Sequence, residues 1–210
     1  MLENTAILAP SIEDEDLAHV RVRRARPTEA QAHAAIRTLL AWAGDDPARA
    51  GLRDTPARVA RAYREWFCGY AQDPVEILAR TFDEVAGYHE PVILRDIPIE
   101  SHCEHHMAAI RGVAHIAYIP NGRVVGISKL ARLADAYAKR LQIQERLTAE
   151  IGTALQQVLK PKGVAVAINA THDCMTTRGV RKHGGSLVTY HFSGAYEEPE
   201  MRERFLRLIG

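Results

Sequence analysis

Apolar residues along this chain switch between two periods, and the switches mark out its elements. From Pro91 to Glu100 they alternate (Val92, Leu94, Ile97, Ile99), the signature of a half-buried strand. Val113–Ile119 is a second strand, closed by the turn Pro120-Asn121-Gly122. The period then lengthens. Leu130, Leu133, Ala134, Tyr137, Ala138 and Leu141 recur at helical spacing, as do Leu147, Ile151, Ala154, Leu155 and Val158. Gly163–Ala170 is apolar and β-branched, Ser186–Phe192 reads as the last strand and Glu200–Leu208 as the last helix. Ahead of all this, Pro27-Thr28-Glu29 opens a helix ending near Gly44. Asp54-Thr55-Pro56, a capping residue with proline in the first turn, starts another that runs to about Gly69.

The order after the first helices is strand, strand, helix, helix, strand, strand, an α+β arrangement with a four-stranded antiparallel sheet. A sheet so narrow leaves edges that need covering or pairing. Three segments follow from the pattern: a tail over residues 1–26, a helical arm over 27–88 and the main domain over 89–210. The tail carries an acidic block, Glu13-Asp14-Glu15-Asp16, and then Arg21, Arg23, Arg24 and Arg26, which together read as a solvated stretch. At 210 residues, 47% hydrophobic and 25% charged, the chain can bury a sizeable core. A net charge of +1 argues against a nucleic-acid footprint. No signal peptide and no transmembrane stretch is visible, so a reducing cytoplasm is expected.

Chemistry concentrates in two short clusters, Ser101-His102-Cys103-Glu104-His105-His106 and His172-Asp173-Cys174. Between them they hold four of the ten histidines and two of the three cysteines. Cys103 and His106 stand three apart, so one turn or a tight loop can aim both at a common point. His172 and Cys174 stand two apart, so an extended strand would turn both to one side. Cys174 is then the natural third ligand, with His172 and His105 close enough to act without binding. Three protein ligands leave one tetrahedral position open, as in catalytic zinc sites, and thiolates favour zinc over magnesium or calcium. The spare imidazoles are the groups that trade protons near neutral pH. The pattern points to hydrolysis at a zinc ion with histidine acid–base help. A closed structural site taking His105 or His102 as fourth ligand is the main alternative, and a Cys103–Cys174 disulfide is disfavoured in a reducing compartment. Cys68, between apolar neighbours, reads as a buried free thiol.

The chain resembles the GTP cyclohydrolase I family in five blocks, in order and in register. They are Gly51–Ala60, Ser101–His106, Gly126–Arg132, Gln142–Thr148 and His172–Val180, within a matched span of roughly residues 28 to 209. The resemblance implies a zinc enzyme that opens the guanine ring of GTP to give dihydroneopterin triphosphate and formate. It implies that Cys103, His106 and Cys174 hold the zinc and that His105 and His172 are the proton-transfer pair. Glu145, with Gln144 beside it, would sit at the guanine edge. Arg58, Arg61, Lys129, Arg132, Arg178 and the Ser128 hydroxyl would surround the triphosphate. The family's tunnelling fold joins subunits edge to edge into barrels, two pentameric rings stacking as a decamer with active sites shared between subunits. Two segments depart from the family's usual pattern, Met107-Ala108-Ala109-Ile110 and Thr189-Tyr190-His191-Phe192. Neither is expected to touch a ligand or a proton-transfer residue.

The implied roles agree with the chemistry of the residues. Guanine presents adjacent N–H donors at N1 and the exocyclic amine, and a carboxylate accepts both. A triphosphate needs cations from several segments, and Lys129 and Arg132, three apart, share a helix face. Two other readings compete. A related barrel enzyme that reduces a modified guanine base would need a cysteine nucleophile and a dinucleotide loop, and neither motif is present. A zinc-stabilised module that binds a purine nucleotide without turnover would leave no histidines free, whereas His105 and His172 both remain.

Overall fold

The computed structural model describes residues 26–83 and 87–210, so almost all of the expected tail lies outside the described residues. The chain divides into two compact units, one ending at Ala57 and the other running from Arg58 to Gly210. The first unit contains helix α1 (Glu29–Trp42). Its start is fixed by a capping box in which the Thr28 hydroxyl accepts the Gln31 N–H and the Gln31 side chain accepts the Thr28 N–H.

Helix α2 (Thr55–Trp66) leads into the second unit. There follow a 3-10 turn over Cys68–Ala71, α3 (Pro74–Leu78), β1 (Thr81–Phe82), β2 (Val92–Cys103), β3 (Ala109–Ile119) and β4 (Val124–Val125). The remainder is α4 (Ile127–Ala138), β5 (Leu141–Gln142), α5 (Gln144–Leu159), β6 (Gly163–His172), α6 (Asp173–Thr176), β7 (Leu187–Gly194) and α7 (Pro199–Ile209). The main sheet has the order β5-β2-β3-β6-β7, and β1 pairs separately with β4. The four long strands are antiparallel to one another as the pattern predicts. The structure adds β5, a two-residue strand parallel to β2.

Leu141, assigned by spacing to the helical stripe, belongs to β5 instead. The helix stops because Arg140 turns back and donates to the Ala136 carbonyl at 2.7 Å and the Gly69 carbonyl at 3.2 Å. Gly69 is needed there, since a Cβ would lie 2.4 Å from the Ala136 carbonyl oxygen.

One face of the sheet packs under α4 and α5, where Leu130, Leu133, Leu147, Ile151 and Leu155 meet Ile99, Ile116, Val166 and Ile168. On the other face Ala117, Ile119, Ala165 and Ala167 meet Tyr196 and Phe205. Strands covered on both faces read as continuous apolar runs, which is why Val113–Ile119 and Gly163–Ala170 show little alternation. In β2 the alternation slips by one residue between Leu94 and Ile97. A β-bulge sits there, with Asp96 at φ 57° and its N–H donating to His115 Nδ1 at 3.2 Å.

Candidate metal centre and active site

Strands β2 and β6 both pair with β3, and the register sets Ser101 and His172 on either side of Ile110. The two clusters, remote in sequence, therefore finish at the same end of the sheet, ~10 Å apart at the usual strand spacing. Past Cys103 the chain closes a tight turn. Met107 N–H donates to the Cys103 carbonyl and Cys103 N–H to the Ala108 carbonyl, both at 2.8 Å, with Met107 at φ 54°. That turn swings both histidines back, putting His105 Nδ1 3.7 Å and His106 Nδ1 3.9 Å from Cys103 Sγ.

The second cluster forms differently from the spacing argument. The chain does not stay extended after His172 but enters α6, so His172 and Cys174 share no strand face. Asp173 sets this bend. Its carboxylate accepts from Arg111 at 2.7 Å, while its carbonyl accepts the Thr177 N–H at 2.9 Å and the Thr177 hydroxyl at 2.7 Å. The helical turn carries Cys174 to the first cluster all the same. The ligand atoms of Cys103, His106 and Cys174 lie within 4.8 Å of one another. Around one zinc ion two sulfurs and a nitrogen stand ~3.5–4 Å apart, so small side-chain movements suffice. The donor set fits: two thiols and an imidazole, all free of disulfides. Without a cation, burial pushes the Cys174 thiol pKa up and the adjacent Cys103 thiol pushes it further. A bound divalent ion reverses that balance, since it takes the thiolate.

The cluster opens into a cavity of about 490 Å³ lined also by His105, His172 and Glu145. His172 is half-buried, and that burial lowers its pKa against a smaller opposing pull from Glu145. Its Nε2 lies 2.8 Å from Gln144 Oε1. Gln144 lines the cavity but is 1% exposed, its side chain committed to His172 and to the strands behind it. Glu145, next in sequence, is exposed to the cavity.

The expected triphosphate residues are dispersed. Arg178 stands at the metal cluster, its guanidinium 3.1 Å from His106 Nε2. Lys129 and Arg132 line a different cavity of about 510 Å³, which also holds Lys139, Asp73, Glu76 and Asp135. Ser128 is exposed beside them. Arg58 and Arg61 are exposed on α2 and line neither cavity.

Several residues at the site carried no signal in the sequence. Lys182 lines the first cavity. Arg146 pairs with Glu104 and donates to the Gln142 side chain, holding the turn that carries His105 and His106. Thr189, in one of the two segments that depart from the family's pattern, reaches Gln144 at 3.1 Å. The Arg146 pair joins two of the quoted blocks, but nothing in either block marks the partner.

Fold and site together define an α+β protein in which a Cys-His-Cys group able to hold a metal ion stands beside His105 and His172. The sequence profile of GTP cyclohydrolase I matches residues 32–210. The chain is 54% identical to the GTP cyclohydrolase 1 of Sinorhizobium fredii over 88% of its own length and 90% of that protein's. It is 51% identical to that of Maricaulis maris over the same shares. Among solved structures, the apo archaeosine synthase QueF-Like aligns with 50% of this chain and 94% of its own at 21% identity and TM-score 0.42, a likeness too slight to bear on function. The chain belongs to the GTP cyclohydrolase I family, hydrolases of pterin and folate biosynthesis.

Proposed function

We propose that this chain converts GTP to 7,8-dihydroneopterin triphosphate and formate, with zinc held by Cys103, His106 and Cys174. The observation that carries this reading is the single cavity joining that cluster to His105, His172 and Glu145. When bound, zinc supplies a polarised water for attack at C8 of the guanine ring. The Glu145 carboxylate accepts from guanine N1–H and the exocyclic amine, fixing the base. His172 or His105 delivers a proton to N7, which makes C8 electrophilic, and the pair then returns protons as the ring opens and C8 leaves as formate. The remaining carbons rearrange and close onto the exposed amine while cationic side chains hold the triphosphate. Arg178 suits that task. A metal held through His106 Nδ1 would leave the ring proton on Nε2, and the Arg178 guanidinium, which can only donate, would then be free for an anion.

Lys129 and Arg132 line a cavity separate from the metal cluster. That separation supports a site completed by a neighbouring subunit, whose α4 brings these cations and Ser128 to the triphosphate. Among the described residues β7 ends the sheet, and it is apolar, with Leu187, Val188 and Tyr190 exposed, as an edge joined to another subunit would be. Sheets joined along such edges into barrels, and two five-membered rings stacked as a decamer, are the assembly that suits this chain. Arg58 and Arg61 in the arm over residues 27–88 serve the triphosphate from its rim, while residues 89–210 carry the chemistry. Free thiols at the ligand positions suit a reducing cytoplasm. Equimolar formate and pterin from GTP are the expected products, and GTP bound but returned unchanged would overturn the reading.

A further inference from the structure

Behind His172 lies a closed set of hydrogen bonds whose directions can be worked out one hydrogen at a time. The Thr148 hydroxyl lies 2.8 Å from the backbone carbonyl of Gln144, which can only accept, so its single hydrogen goes there. Thr148 Oγ1 is also 2.6 Å from Thr189 Oγ1. With the Thr148 hydrogen already used, Thr189 is the donor in that pair. Thr189 Oγ1 then has only lone pairs to offer, and it faces the Gln144 side-chain amide at 3.1 Å. The same end of that amide faces the Ile168 carbonyl at 3.0 Å and the Leu187 carbonyl at 2.9 Å. Three acceptors around one atom make that atom the NH2 group and leave no room for the flipped amide. Gln144 Oε1 is therefore the atom turned to His172 Nε2, and an amide oxygen only accepts. The ring proton sits on Nε2.

We propose that Gln144 is a positioning residue which, its NH2 group held by the Ile168 and Leu187 carbonyls and by Thr189, locks His172 in the Nε2–H tautomer and leaves Nδ1 as its proton-exchanging atom. Gln144 is buried, and its amide oxygen is spent on the His172 ring. The lock holds in both charge states of the ring, because Nε2 keeps its hydrogen when Nδ1 gains one. The partner on one imidazole nitrogen decides what the other can do. Gln144, expected at the guanine edge, thereby becomes a brace for the proton-transfer histidine. This inference rests on His172 being the proton-transfer residue proposed above.

The test is nitrogen NMR on the full-length, metal-loaded protein labelled at its histidine rings, with the His172 signal identified by its loss in His172→Gln. Wild type should show a protonated Nε2 and an unprotonated Nδ1 at His172. Gln144→Leu, which removes the acceptor from Nε2, should show both tautomers, with kcat down about 10–100-fold, the usual cost of losing an outer partner, and with KM for GTP and metal content unchanged. Thr189→Val, which leaves both backbone carbonyls on the Gln144 NH2 group, should keep the wild-type tautomer. A wild-type ring protonated on Nδ1 would overturn the proposal. So would a Gln144→Leu enzyme with unchanged kcat, or one whose kcat falls only together with its metal content. The spectrum needs no turnover, so a protein that fails to process GTP would refute the proposed reaction and leave the tautomer still to be read.

Discussion

Gln144 Oε1 and His172 Nε2 meet at 2.8 Å although 28 positions separate them in the chain. Gln144 opens α5 and His172 ends β6, so the contact joins the helix layer to the sheet at the rim of the metal cluster. His172 is thus held by the core rather than by a loop. Its opposite number, His105, sits on the turn after β2 and has 65% of its side chain exposed.

That difference bears on what each histidine does. His172→Ala and His105→Ala should each lower kcat by ~10²–10⁴-fold, the worth of a positioned acid–base group. Neither should release GTP or zinc, since neither belongs to the ligand set. Steady-state formate release, nucleotide binding and metal content on the purified variants check all three points.

The α5–β7 contact is tight enough to test by a paired substitution. A Cβ at Gly152 would lie 2.1 Å from the His191 ring. Gly152→Ala should cost ~1–3 kcal/mol as overpacking, and His191→Ala in the same chain should recover most of it. Urea midpoints at one fixed protein concentration measure both. Additive losses in the double variant would mean that the two positions do not touch.

Acid should weaken the fold early. His102, His115, His172 and His191 all have pKa values pulled below the ordinary histidine value, with burial the largest cause in each. The unfolded chain takes up these protons near pH ~6.5, before the folded chain does. Their contribution to stability is therefore complete above pH ~6.5 and is lost as pH falls through the lowered folded values. Urea midpoints taken from pH 7.5 down to 5.5 should fall, and fall less steeply in His191→Leu. A flat profile would remove the buried histidines from the balance.

Much of this was legible in the sequence, for identifiable reasons. The long strands and helices each carry a whole face of apolar residues, so Val92–Cys103, Ala109–Ile119 and Gln144–Leu159 announce themselves. The metal set was legible because cysteine and histidine crowd together in few places. What stayed hidden depends on partners remote in the chain. The bend at Asp173 requires Arg111 from β3, and β5 exists because Arg140 ends α4. Thr148 and Thr189 look like any buried threonines until the fold lays one against the other. The expectation that neither departing segment touches a ligand failed at Met107 and Ala108, which bond the Cys103 backbone.

A shared active site predicts complementation. Cys174→Ser loses the metal cluster and Arg132→Ala loses a cation of the second cavity, so each alone should be nearly inactive. Subunits of the two variants, unfolded together and reassembled, should recover part of the wild-type rate by pairing an intact cluster with an intact α4. Activity no higher than the sum of the separate variants would place the whole site within one subunit.

The most direct test of the central claim follows formate and the oxidised pterin's fluorescence after mixing purified protein with GTP. It compares the protein as purified, after treatment with a zinc chelator, after zinc is returned, and as Cys174→Ser. The expected result is equimolar formate and pterin, abolished by the chelator, restored by zinc, and absent from a Cys174→Ser protein that holds no metal. Full turnover by metal-free protein, or a Cys174→Ser variant that keeps both its metal and its activity, would contradict the account.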